Sequence, residues 1–109
     1  MMLNFKEMEA KVIPHFKDGE GHIIAKMFAD ELNRILLGRL EPGCSIGMHT
    51  HDTSSEIIYI LEGEGTTILD GVTETLLPGD CSYCKKGSTH TLINRGSQDL
   101  VFFAVVPEQ

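Results

Sequence analysis

From residue 22 onward the chain is a succession of short apolar runs separated by turn-forming residues. His22 to Phe28 predicts a strand. Arg34 to Leu40 is ambiguous, because Leu32, Ile35, Leu36 and Leu40 also suit one face of a helix. Gly38 and the Pro42-Gly43 turn tip that segment toward strand. Glu56 to Leu61 (EIIYIL) is rich in β-branched and aromatic residues and apolar on both faces, as expected of a strand between two layers. Thr66 to Leu69 and Val72 to Leu77 flank Asp70-Gly71, a two-residue hairpin signal. After the Pro78-Gly79 turn come two short strands, Cys81 to Cys84 and His90 to Ile93. Leu100 to Val106 (LVFFAVV) reads as a continuous buried strand that closes the series.

About eight or nine short strands at near-regular spacing predict an all-β sandwich or barrel. Residues 1–22 mix charges, one Pro and two isolated histidines, and read as an irregular lead-in to a single domain over residues 23–109. With 109 residues and 41% hydrophobic positions, one domain with its own core is expected, not a disordered chain. The formal charge of −7 argues against nucleic acid or an anionic membrane as partner. No apolar run approaches a membrane span. The start, MMLNFKEMEAKVIPHF, lacks a basic stretch followed by an apolar one, so no signal peptide is expected. Three cysteines, Cys44, Cys81 and Cys84, then suggest free thiols and a cytoplasmic location.

The chemistry lies in a few polar residues among these strands. His49 and His51 are two apart, so an extended backbone points both imidazoles the same way. Glu56 opens a strongly apolar strand, where a carboxylate is costly unless a positive group stands beside it. His90 opens another short strand much later. Three imidazoles and one carboxylate suit a divalent transition metal ion: Zn, Fe, Mn, Ni or Cu.

The spacing of these residues resembles the two motifs of the cupins. Gly43, His49, His51, Glu56 and Gly63 match the first motif, and Gly79, Gly87, His90 and Asn94 the second. Lys85 stands where the family usually carries Pro. The resemblance implies a jelly-roll β-barrel (a double-stranded β-helix) with one metal held inside by the four side chains, and commonly a homodimer. It also implies a small-molecule ligand. The leading expectation is a mononuclear metalloenzyme acting on a small oxygenated or carboxylate-type metabolite. Dioxygenase, isomerase, decarboxylase and lyase chemistry all fit. A non-catalytic binding or sensing module, or a barrel with a structural metal, are the alternatives.

Ile58 and Ile60 share the Glu56 side of their strand and are expected to wall the pocket, with Leu92, Phe102 and Phe103. Asn94 is expected to support the loop geometry. The Cys81–Cys84 pair lies at i and i+3, which on a strand diverge, so buried structural thiols are expected rather than a redox pair. His15 and His22 read as solvated. Lys85 and Lys86 read as a solvated loop, although they could draw an anion toward the metal. Ser54 and Ser55 lie near the ligands but lack an identifiable base. Gly43, Gly63, Gly79 and Gly87 read as turn residues.

Overall fold

Period-two alternation decides the architecture, because it tells each strand which face to bury. The computed structural model describes residues 1–109. Its strands are β1 (Lys11–Pro14), β2 (His22–Ala29), β3 (Asn33–Leu40), β4 (Ser45–Thr50), β5 (Glu56–Glu62), β6 (Gly65–Leu69), β7 (Val72–Leu76), β8 (Cys81–Cys84), β9 (Thr89–Ile93) and β10 (Leu100–Pro107). They form two antiparallel sheets, ordered β1-β2-β3-β10-β5-β8 and β4-β9-β6-β7, in a jelly-roll barrel. No helix is long and apolar enough to cross a membrane.

The core is built from the inward positions of both sheets. Ile23, Leu36, Leu40, Ile58, Ile60, Leu100 and Phe102 come from the larger sheet, and Ile46, Leu76 and Leu92 from the smaller. The apolar strand β10 sits between β3 and β5, as its unbroken hydrophobicity suggests, with a bulge between Val101 and Phe102. The ambiguous segment is strand β3. Its neighbours β2 and β10 take its hydrogen bonds on both edges, and Gly38 lies against the Phe102 ring where a Cβ would collide. The Asp70-Gly71 hairpin forms as expected, with φ of 48° and 82°. These are the positive values that a two-residue turn matched to the strand twist requires.

Two expectations need correction. β5 is not enclosed between layers. Ile58 and Ile60 are buried, but Ile57, Tyr59 and Leu61 are about 40% exposed, at 39%, 43% and 43%. The chain leaves these β5 positions uncovered, and alternation cannot distinguish two apolar faces when only one is covered. The lead-in is also more ordered than expected. β1 pairs with β2 from Lys11↔Ala25 to Pro14↔His22, and a 3₁₀ turn follows at Phe16–Asp18. β1 is an edge strand, largely exposed and ending in Pro14, so it carries no alternation signal.

Residues 15–19 are pressed onto β4. Gly19 and Gly47 face the Ser45 and Lys17 carbonyls so closely that a Cβ at either would overlap backbone. The Ser45 amide donates to the Glu20 carbonyl at 2.9 Å, and the Glu20 amide to the Ser45 hydroxyl at 2.9 Å. This docking carries Phe16 and Lys17 to one end of the barrel.

Candidate metal centre

Four side chains from both sheets converge at that end. His49 comes from β4 and stands directly across from His90 on β9. Glu56 comes from the first position of β5, in the other sheet. His51 lies in the β4–β5 connection, where its amide donates to the Ser88 carbonyl at 3.0 Å and its carbonyl accepts from the Gly87 amide at 2.6 Å. The Asp70 carboxylate also accepts from the Thr89 amide at 2.9 Å. These bonds hold the loop before His90 in place without the proline that Lys85 replaces. Hydrogen bonds from the Thr89 backbone and Ser88 keep the Asp70 carboxyl below its ordinary value.

The donor atoms face one another. His51 Nε2 lies 3.1 Å from His49 Nε2, 3.0 Å from His90 Nε2 and 3.0 Å from Glu56 Oε1. His90 Nε2 lies 3.2 Å from His49 Nε2 and 2.9 Å from Glu56 Oε1, while His49 Nε2 and Glu56 Oε1 are 3.7 Å apart. Glu56, His51 and His90 are buried. Burial pushes the Glu56 carboxyl pKa upward, but hydrogen bonds from His49, His51 and His90 outweigh it and hold the group well below the usual carboxylate range. The site therefore presents a carboxylate, not a carboxylic acid.

The outer ring nitrogens help to aim these donors. His49 Nδ1 donates to the Gly47 carbonyl at 2.7 Å, which fixes the ring with Nε2 facing the cluster. His51 Nδ1 lies 2.9 Å from the Ser54 hydroxyl, which gives Ser54 an orienting place beside the site. Shared protons cannot satisfy four donors packed this closely, whereas one cation can, so His49, His51, Glu56 and His90 could hold a metal ion.

The cleft above His49 and Glu56 is narrow, about 20 Å³ in volume. Phe16, Lys17, Arg34, Leu36, Ile46 and Val106 line it together with His49 and Glu56. None of the six residues expected as pocket or supporting residues is among them. Ile58, Ile60, Leu92 and Phe102 lie deeper, in the close-packed core. Phe103 faces the opposite side of its strand, edge-on to Phe5. Asn94 lies at the far end of β9, where its amide donates to the Leu40 and Gln98 carbonyls, both at 2.8 Å. A roomier depression at that far end, bordered by Gly63, Glu64, Pro78 and Gln98, contains none of the converging donors.

Lys85 and Lys86 do not line the cleft, and Lys86 donates to the Gln109 carbonyl. The cations at its mouth are Lys17 and Arg34. Arg34 was legible in principle, since it shares the inward side of β3 with Leu36 and Leu40. His15 and His22 are not simply solvated: His15 contacts the Gly19 carbonyl, and His22 pairs with Glu41 at 2.6 Å. The cysteines are free. Cys81 is exposed, and Cys84 is buried opposite Glu56. Burial, with help from the nearby carboxylates, raises the Cys84 thiol to about 11, so it stays protonated near neutrality.

A family model described as "Cupin domain" matches residues 36–106. The chain is 31% identical, over 97% of its length and 93% of the relative, to an "Oxalate-binding protein" of Thermotoga maritima. Among solved structures it resembles one from Thermotoga maritima described as a predicted oxalate decarboxylase, with 29% identity, full coverage of both chains and a TM-score of 0.93. It also shares its fold with a sugar phosphate isomerase of Silicibacter pomeroyi, at 23% identity, with all of this chain and 76% of that one covered and a TM-score of 0.79. The family match and the full-length likeness at 31% identity agree with the four-ligand barrel, and the chain belongs to the cupin family.

Proposed function

We propose that this cupin holds one divalent transition metal ion through His49, His51, Glu56 and His90 and uses it to take up a small carboxylate, with oxalate the first compound to test. The observation that carries this reading is the convergence of the four donors, two of which, His49 and Glu56, line a narrow cleft. A purely structural metal would suit a closed, tetrahedral set better. The bound ion would supply Lewis-acid polarisation of a carboxylate or carbonyl oxygen. The name of the Thermotoga maritima relative supports the choice of oxalate.

Turnover of the metabolite is the fuller form of the proposal. Apart from His49, the polar side chains that line the cleft are Lys17, Arg34 and Glu56. Metal content should be measured by elemental mass spectrometry on protein purified without chelator or affinity metal. Oxalate titration should follow by calorimetry on manganese-loaded protein. About one equivalent of metal and saturable, metal-dependent oxalate binding are expected. Formate and carbon dioxide released from oxalate would add catalysis to binding. Protein that neither contains nor takes up metal would overturn the reading.

The outer face of the six-stranded sheet supports a homodimer. Ile57, Tyr59 and Leu61 of β5 and Tyr83 of β8 project from it at 39–52% exposure, beside half-buried Phe103 and Val105 of β10. No charge interrupts these outward positions, and one apolar patch facing its own copy across a two-fold axis closes the assembly. Light scattering should give twice the chain mass, and Tyr59→Glu should give a folded monomer. A monomeric wild type would rule the dimer out. Three free thiols are consistent with a reducing compartment such as the cytoplasm.

A further inference from the structure

We infer that Arg34 is the group that recognises the carboxylate in this cleft, with Lys17 as a weaker second cation; the inference rests on the small-carboxylate reading above. On β3, Arg34 shares a side with Leu36 and Leu40, which are buried in the barrel. It stands opposite Val106 in register, and both line the cleft with His49 and Glu56.

Arg34 has no partner of its own. Its Nε is buried without a hydrogen bond, and none of the ion pairs in the protein includes it. Arg39 provides the contrast. It lies on the outer side of the same strand, and its guanidinium donates to Asp99 at 2.8 Å. Asp30, Glu31 and Glu108 border an adjoining depression with Arg34, but none is within ion-pair distance of it. Glu56 is taken by the three histidines.

A buried, unpaired guanidinium donor carries a desolvation cost that an incoming acceptor would relieve. The planar fork of arginine matches a carboxylate with two parallel hydrogen bonds. Lys17 adds charge at the mouth, where its ammonium lies 5.7 Å from the centre of the Phe16 ring. Arg34 thus lines one narrow cleft with His49 and Glu56. A compact dicarboxylate would bridge them, with one carboxylate toward the metal centre and the other on Arg34. A monocarboxylate would leave Arg34 unused.

The test is calorimetric titration of manganese-loaded wild type, Arg34→Gln and Arg34→Lys with oxalate and with formate, alongside metal analysis and circular dichroism. Arg34→Gln should keep its fold and about one metal equivalent yet lose roughly 10- to 100-fold in oxalate affinity, the range for a hydrogen bond to a charged group. Formate binding should change little. Arg34→Lys should fall between, because it keeps the charge and loses the fork. Lys17→Ala should cost a few-fold, and less at high salt. Unchanged oxalate affinity in Arg34→Gln would overturn the assignment, as would loss of its fold or metal. If oxalate affinity falls in Arg34→Gln but does not depend on metal, the assignment stands and the metal-dependent reading fails. If wild type binds neither oxalate nor malonate, the carboxylate reading fails and the role of Arg34 with it.

Discussion

His51→Ala should leave the protein without its metal. His51 Nε2 is within 3.1 Å of each of the other three donors, so its loss opens the centre of the cluster. Removing a supporting group behind a ligand commonly costs 10- to 100-fold in metal affinity, so removing the ligand itself should cost roughly 100-fold or more. The barrel should remain folded. Its core draws on β2, β3, β5 and β10 with β4, β7 and β9, and none of its residues is a metal ligand. Elemental mass spectrometry and circular dichroism on the purified variant check both halves. Collapse of the fold with the metal would support a structural ion. A variant that keeps its metal would remove His51 from the ligand set.

Phe102→Ala should produce the largest loss of stability. Phe102 is fully buried at the centre of the larger sheet, with its ring lying over Gly38 on the neighbouring strand. Because Gly38 has no side chain to move into the space, the truncation leaves a cavity next to rigid backbone. Such changes cost about 3–5 kcal/mol, a large part of the roughly 5–15 kcal/mol that holds a domain together. For a chain of this size the melting temperature should fall by roughly 15–20 °C. Phe103→Ala removes a ring of the same size from the outer face and should cost much less. Equal losses for the two variants would contradict the inward direction of Phe102.

The difference between these adjacent phenylalanines shows where sequence reading stops. LVFFAVV identifies a central strand, and β10 does lie between two partners. Its apolar residues occupy both faces, so alternation does not indicate which ring faces the core. EIIYIL poses the same problem, and its outer face is exposed. The glycines of the two motifs were easier to read. Gly43, Gly63, Gly79 and Gly87 all have φ between 82° and 95°, a backbone shape that side chains disfavour.

The candidate site divides along the same line. His49 and His51 are neighbours by alternation, Glu56 follows them, and a carboxylate at the head of an apolar strand needs a positive partner. Residue type and spacing therefore determined which four side chains could hold a metal. Tertiary structure decided how they meet: the register of β4 against β9 places His90 across from His49, 41 residues away. It also decided what surrounds them. Phe16 and Lys17 reach the cleft because Gly19 and Gly47 let the lead-in dock on β4, and Arg34 reaches it because β3 lies beside β10. Local pattern fixes which side of a strand a residue takes, while the covering of that side depends on pairings between distant strands, which no short stretch of sequence contains.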